Sequence, residues 1–499
     1  MIELVSCDLM RKSDENTIRT KTPSTELMWR AGLGIYNSAK WQGKIGIVCG
    51  SGNNAGDGYA LALILKENKI ACDLILLSEK LSADGEYYFK KCRDVSINTV
   101  KYTPDTPLDG YDMIVDCIFG TGFKGEAQGV YAEAIEKINK SSAFVISADI
   151  NSGLNGDNGM CKTAIKSDLT VSIGTRKSGH YLAMAKDHIK RLVNVDIGID
   201  LVDTPMYLIE ASDAGRVYKP RLNFSHKGTY GYVAIIGGCE DYSGAPRLSA
   251  LALSALRAGA GVSKVCVPKS ISNIVSASLI EPTMCALSEQ NGYIKFVPEE
   301  IDKALRGVRS VAIGMGMGQG SDAYKIIKHI LENYELTVII DADGLNDLAK
   351  NDMTVLKNTK CTVILTPHMA ELSRLSGVSI SEIYESPIKT AEDFAKEYGA
   401  VVLLKGASTI VTDGKNTRIV DTGCAGMATA GSGDVLSGII LGTVAQNPIR
   451  EQMLLNVCAS AYVNGLAGQL ASEQYGDISM ISTDTISKIA EAIKSLPRE

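Results

Sequence analysis

Lys44-Ile45-Gly46-Ile47-Val48-Cys49, followed by Gly50-Ser51-Gly52-Asn53-Asn54-Ala55-Gly56-Asp57-Gly58, decides how the first half of the chain folds. The apolar run reads as a buried strand, and Tyr59 to Lys66 reads as a helix. A glycine-rich turn between strand and helix offers free backbone N–H groups and the positive end of a helix dipole to an anion. Gly50, Gly52 and Gly56 are spaced G-x-G-x-x-x-G, one residue longer than the dinucleotide fingerprint. Two asparagines and an aspartate are unusual where only phosphate is held, because a carboxylate repels phosphate. It accepts hydrogen bonds from hydroxyls or helps to coordinate a cation.

Working outward, strand-like runs at Leu74–Leu77, Met113–Cys117 and Phe144–Ser147 alternate with amphipathic stretches at Gly85–Cys92 and Tyr131–Lys140. Thr170–Ile173 and Val193–Ile197 offer further strands. This alternation is the βαβ pattern of a parallel sheet covered by helices. A polar stretch from Ser212 to Lys227 follows, and the pattern then restarts. Strands are expected at Tyr232–Gly237, Val265–Val267, Val311–Gly314, Leu336–Ile340, Thr362–Leu365 and Val401–Lys405. Thr409–Thr412 and Arg418–Asp421 would form a hairpin around Asp413-Gly414. Helices are expected at Ala245–Ala260, Gly433–Val444 and Gln452–Ala471. The chain is therefore read as two α/β domains, residues 1–212 and 213–499.

Composition narrows the function. The 499 residues are 45% apolar and 22% charged, with a formal net charge of −6. A basic face for nucleic acid is not expected from such a balance. Twelve cysteines show no C-x-x-C pair and no His/Cys cluster, which argues against zinc and for a reducing, cytoplasmic setting. No apolar run is long enough to span a bilayer, and the first residues lack a secretory pattern.

Open parallel sheets bind ligands at the carboxyl ends of their strands. In the first half, the Gly50 turn, Asp116 with Gly120-Thr121-Gly122-Phe123-Lys124-Gly125, and Asp149-Ile150-Asn151-Ser152-Gly153 all stand at such ends. Asn54, Asp116 and Ser152 offer an oxygen-only donor set suited to a hard cation. Taken singly, each loop is as well explained by a tight turn or a helix cap. Glu79 stands where a dinucleotide fold carries its ribose-binding acid.

In the second half, Thr429-Ala430-Gly431-Ser432-Gly433-Asp434 leads straight into a helix. Small residues there allow close approach of a phosphate. Asp434 would repel that phosphate, and its natural task is to take a proton from an attacking hydroxyl. Lys405-Gly406-Ala407-Ser408-Thr409, Thr366-Pro367-His368 and Asp341-Ala342-Asp343 end three further strands. A lone histidine such as His368 is usually structural. No G-x-x-x-x-G-K-[ST] occurs, so the chain is not a P-loop ATPase.

These motifs together resemble the bifunctional NAD(P)H-hydrate repair enzymes, in which an NAD(P)H-hydrate epimerase is fused to an ADP-dependent NAD(P)H-hydrate dehydratase. The first half carries Leu27-Met28-Trp29-Arg30-Ala31-Gly32 and the three loops above. The second carries His226-Lys227-Gly228, Gly244-Ala245, Gly314-Met315-Gly316-Met317-Gly318, Thr366-Pro367-His368, Lys405-Gly406-Ala407 and Gly431-Ser432-Gly433-Asp434. Three positions depart from the pattern: Ala55 for glycine, Asn151 for proline and Ser432 for threonine.

The resemblance implies a Rossmann-like α/β/α sandwich followed by a ribokinase-like α/β/α domain. It implies that Asn53 to Asp57, Gly120 to Glu126 and Asp149 bind the hydrated nucleotide. Asn54, Asp116 and Ser152 would hold potassium. In the second domain Ala245, Gly316, Gly318, His368 and Asp434 would contact the hydrate. Lys405 to Thr409 (Gly406, Ala407 and Ser408 between them) and Gly433 would hold ADP or ATP with Mg²⁺. Asp149 and Asp434 are the expected catalytic residues. The expected partners are the small molecules NADHX, NADPHX and ADP, with no nucleic acid and no membrane, and a homo-oligomer is expected. Two rival readings remain at this stage: a small-molecule kinase of ribokinase type, which leaves the first half without a role, and a non-catalytic scaffold of the kind found in some RNA-processing proteins.

Overall fold

The computed structural model describes residues 1–245, 247 and 257–497. Most of the helix expected over Ala245–Ala260 lies outside the described residues. The chain divides into two compact units, Glu3–Met206 and Tyr207–Glu499, the second also taking in Met1–Ile2. This division falls before Ser212 because Met206–Leu208 is a strand of the second sheet, where Tyr207 and Leu208 pair with Arg418 and Ile419.

The first unit is built on a seven-stranded sheet. Its order is Asn98–Lys101, Cys72–Leu76, Ile45–Cys49, Met113–Cys117, Phe144–Ala148, Leu169–Ile173, Leu192–Val195, and all neighbours are parallel. Ile45–Cys49, Met113–Cys117 and Leu169–Ile173 are buried at every position, as expected of strands covered on both faces. The outer strand Asn98–Lys101 is polar and largely exposed, which blunts that edge. The order reverses between Ile45–Cys49 and Met113–Cys117, opening a crevice at their carboxyl ends. Gly50 stands there because a Cβ at this position would lie 2.0 Å from the Ile118 carbonyl oxygen. The following helix begins at Asn53, well inside the glycine turn, and runs to Glu67. It is buried almost all round, between the sheet and the helices Ser24–Ser38 and Ala83–Asp94. That explains its apolar, non-amphipathic sequence.

The second unit's sheet runs Thr283–Leu287, Val262–Pro268, Tyr232–Ile236, Ser310–Ile313, Thr337–Ile340, Thr362–Leu365, Val401–Leu404, Thr409–Thr412, Thr417–Val420, Met206–Leu208. It is parallel up to Val401–Leu404 and closes with the expected hairpin, in which Thr412 opposes Thr417. The reversal of order falls between Tyr232–Ile236 and Ser310–Ile313. Gly314 occupies this switch point with φ +120°, and a Cβ there would lie 2.0 Å from the Asp341 carbonyl oxygen. Helices Ser432–Gln446 and Met453–Tyr475 pack on the sheet, their apolar faces merging with its core. The edge strand Thr283–Leu287 and the final helix Ser482–Ser495 had no counterpart in the sequence reading. The strand is short and half-buried, and the helix carries only a modest apolar stripe.

Candidate active sites

At the first unit's switch point the Gly50 turn and the Asp116 and Asp149 loops meet around a cavity of about 800 Å³. Asn53, Asn54, Asp57, Gly120 to Lys124 and Asp149 line it. Ala55 and Gly56 face the core, and an added Cβ at Gly56 would meet Met28. Gly125 and Glu126 do not line the cavity, and Glu126 pairs with Lys162 at 3.0 Å. Glu79 is 79% exposed and paired with Lys101 at 2.7 Å, so the ribose-acid reading fails. The side chain has turned to solvent beyond the strand end.

Asp149 sits in the left-handed region with φ +64°, a conformation that costs free energy in any residue but glycine. Several bonds hold it there. Its N–H donates to Val171 O at 2.8 Å, and its carbonyl accepts from His180 Nε2 at 2.8 Å. His180 Nδ1 in turn accepts from the Lys177 N–H at 3.1 Å. The ring is therefore neutral, and burial lowers its pKa to about 4. The Lys177 ammonium, with its side chain 1% exposed, pairs with the Asp149 carboxylate and also donates to Ile173 O at 2.7 Å. Burial pushes the Asp149 carboxyl upward, but Lys177 outweighs it and keeps the group below the ordinary carboxylate range.

Of the other acids that line the same cavity, two are strongly shifted. Burial raises Asp14 to about 6 and lifts Asp57 well above its ordinary value. The cavity thus holds a fixed ion pair beside carboxyls that burial shifts toward the protonated form. Sequence reasoning missed Lys177, His180 and Asp14. Lys177 and His180 follow a strand end in Thr175-Arg176-Lys177-Ser178-Gly179-His180, a signal of the same kind as the three loops. Asp14 arrives on the helix Cys7–Thr20, which no strand-end rule would select.

Asn54, Asp116 and Ser152 lie together. Ser152 Oγ donates to Asp116 Oδ1 at 2.5 Å, and the Asn54 amide donates to Phe119 O at 2.8 Å. Asn54 Oδ1 is buried with no hydrogen-bond partner. Such an orphaned oxygen beside a buried carboxylate fits a hard cation of low charge density, which takes carbonyl and hydroxyl oxygens. Asn151 fills its position by polar means. Its amide donates to Ile165 O, Ser167 Oγ and His188 O, and its oxygen accepts from Thr170 Oγ1 at 2.5 Å.

In the second unit Asp341 ties three elements together. Its Oδ1 accepts from Lys405 Nζ at 2.8 Å and its Oδ2 from Ser437 Oγ at 2.7 Å. Lys405 Nζ also lies 3.8 Å from Glu371 and 3.5 Å from where a Gly433 Cβ would stand. His368 caps the helix Met369–Ser376 by accepting from the Ala370 and Glu371 N–H groups, and lies 3.6 Å from the Glu371 carboxylate. Asp434 stands in the first turn of Ser432–Gln446. Burial raises its pKa to about 7; Asp341 and Asp343 push the same way and Lys405 opposes them. Gly316 and Gly318 line a cavity of about 410 Å³ with Asp241, Tyr242, Tyr293 and Asp343. A Cβ on Gly316 would touch Ala245 at 2.9 Å, so Ala245 packs against this glycine, although it is not among the residues that line the cavity. Ser408 is buried and donates to Asp421 at 2.8 Å, so its hydroxyl is committed to the sheet's own structure.

Comparison with known sequences and structures gives the family. Residues 24–179 match the family described as YjeF-related protein N-terminus, and residues 233–491 match the NAD(P)H-hydrate dehydratase family. The bifunctional NAD(P)H-hydrate repair enzyme of Moorella thermoacetica is 34% identical, over 96% of this chain and 94% of its own. The enzyme of the same name from Archaeoglobus fulgidus is 32% identical over 99% of both. The chain belongs to the bifunctional NAD(P)H-hydrate repair enzymes.

Like its family it is a bifunctional enzyme, an epimerase joined to a dehydratase, and its chemistry is the repair of hydrated nicotinamide nucleotides. Among solved structures, a ribokinase-like superfamily protein from Enterococcus faecalis aligns with 60% of this chain and 99% of its own at 23% identity and a TM-score of 0.51, which identifies the fold of the repair enzyme's second unit. Among the described residues no group of three or more His, Cys, Asp or Glu side chains is arranged to hold a metal. No described helix is long and apolar enough to cross a membrane.

Proposed function

We propose that the first unit interconverts the R and S epimers of NADHX and NADPHX, and that the second dehydrates the S epimer with ADP or ATP. The observation that carries the reading is Asp434: a carboxyl raised to about 7 in the first turn of a helix, beside a lysine clamped by two acids. A general base works best when its pKa lies near the operating pH. Asp434 takes the proton from the hydrate's hydroxyl, whose oxygen attacks the nucleotide's terminal phosphate. That phosphate lies at the helix N-terminus against Gly433, where the dipole favours negative charge. Lys405, held by Asp341, neutralises the phosphates. The phosphate ester then eliminates inorganic phosphate and the ring regains its double bond. Phosphorylation converts a poor leaving group into a good one. Glu371, with the nucleotide phosphates and water, would hold Mg²⁺, which needs few protein ligands and supplies charge neutralisation.

In the first unit Asp149 acts as acid and base as hydroxide leaves and returns at the hydrated carbon. Lys177 keeps its carboxylate charged. Asn54, Asp116, Ser152 and the Phe119 carbonyl would hold potassium, which supplies a positive charge that orders the surrounding loops. The expected binding residues are those facing the cavity: Asn53, Asn54, Asp57, Gly120 to Lys124 and Asp149.

The test is one assay. Hydrated NADH, as the epimer mixture, is incubated with ADP or ATP, and the return of reduced-nicotinamide absorbance is followed. Full recovery of both epimers supports the reading. Recovery of the S fraction alone removes the epimerase assignment, and a stable phosphorylated product would favour a kinase instead.

A further inference from the structure

Cys266 and Cys285 face each other across the outer pair of strands in the second unit's sheet. Val262–Pro268 and Thr283–Leu287 run parallel, with Cys266 in register with Cys285. Residues paired in this way point to the same face and lie about 4.8 Å apart. That spacing falls within the roughly 4.4–6.8 Å between the α-carbons of bridged cysteines. Both are free thiols; Cys266 is fully buried and Cys285 is partly exposed. Thr283–Leu287 is the outermost strand, so it can shift to bring the two sulfurs together without displacing a second neighbour.

We propose that Cys266 and Cys285 form a dithiol that a hydroperoxide oxidises to an intrachain disulfide. Neither cysteine belongs to the repair chemistry, and the inference stands whether or not the reading of the two active sites holds.

The surroundings divide the two roles. The Cys266 S–H donates to Cys285, which lowers the Cys285 pKa; Lys264 and Lys303 lower it further, while partial burial and Glu300 oppose them. The same contact, together with burial, holds the Cys266 thiol well up. Burial, reinforced by neighbouring thiols and carboxyls, keeps the thiols of Cys49 and Cys117 protonated, so those are inert. Cys285 is thus the nucleophile. Its thiolate attacks one peroxide oxygen, the O–O bond breaks and hydroxide leaves, giving a sulfenic acid. Cys266 then attacks that sulfur, the S–O bond breaks and the proton of Cys266 goes to the departing hydroxide. Two thiols lose two electrons, and one hydrogen peroxide becomes two waters.

The test uses the full-length reduced protein. It is titrated with hydrogen peroxide, quenched with N-ethylmaleimide and mapped by peptide mass spectrometry. The first disulfide formed should be Cys266–Cys285, reversed by dithiothreitol. Amide exchange in Thr283–Leu287 should slow in the oxidised form. C285S should consume peroxide about tenfold more slowly. C266S should leave a Cys285 sulfenic acid that dimedone traps, and this second variant keeps the test independent of any folding defect in the first. A different cysteine pair forming first, unchanged peroxide consumption by C285S, or no dimedone adduct at Cys285 in C266S would each overturn the proposal.

Discussion

The buried Lys177 ammonium is the direct partner of the Asp149 carboxylate, and both face the first unit's cavity. A carboxylate as buried as Asp149 keeps its charge only against such a cation. Lys177→Met should therefore raise the Asp149 pKa and slow epimerisation, moving the acid limb of its rate profile to higher pH. The check is the R-to-S rate against pH in wild type and variant. A rate lowered equally at every pH would mean a merely structural loss.

Asp149→Ala should abolish use of the R epimer and leave dehydration of the S epimer untouched. The loss should be about 10²–10⁴-fold, the usual contribution of a positioned acid or base. The two epimers, followed separately by chromatography, decide it; unchanged R kinetics remove Asp149 from the mechanism.

Asp434 fixes the pH dependence of the second activity. Its pKa is raised to about 7, so below that pH it is protonated and cannot accept a proton. Dehydration at saturating nucleotide should then fall about tenfold per pH unit below 7 and level off above it. Since Lys405 lowers the Asp434 pKa, Lys405→Met should shift this limb to higher pH as well as weaken nucleotide binding. Asp434→Asn should remove nucleotide-dependent repair and spare epimerisation. A variant that dehydrates normally would exclude Asp434 as the base.

The orphaned Asn54 Oδ1 gives a prediction that needs no assay of activity. Potassium chloride should stabilise the protein relative to choline chloride at equal ionic strength, by about 1–3 kcal/mol at saturation, read as a higher melting temperature. Asn54→Leu, of the same branching, should lose the difference between the salts. Equal melting in both salts for the wild type would rule out a specific cation.

Gly50 tests the crevice. Its missing Cβ leaves room for the Ile118 carbonyl, so Gly50→Ala must push two strand ends apart. A loss of about 2–4 kcal/mol is expected, in the range of strong overpacking. Chemical denaturation measures it, and a loss under about 0.5 kcal/mol, the ordinary scatter of neutral substitutions, would mean the strand ends are not constrained.

Most strands of both sheets were legible because a strand covered on both faces is a continuous apolar run, as Ile45–Cys49 and Met113–Cys117 are. The half-covered edge strand Thr283–Leu287 and the short caps lack that signature, and helix boundaries drifted where a glycine turn continues straight into a helix, as at Asn53. The glycine turn leading into a helix singled out Asp434, and the strand-end rule singled out Asp116, Asp149, His368 and Lys405. It offered no means of telling Asp57, which faces the cavity, from Gly56, which faces Met28 one residue earlier.

From residue order alone came two α/β units, the family and the strand ends where ligands gather, because periodicity and glycine spacing are local properties. Which charges meet was settled only in three dimensions. Lys177 and Asp149 are 28 positions apart, and Lys405 and Asp341 are 64 apart. Their pairing depends on which strands are neighbours and on how deeply each group is buried. Burial and partner together set the protonation of Asp149 and Asp434, and with it the chemistry each can perform.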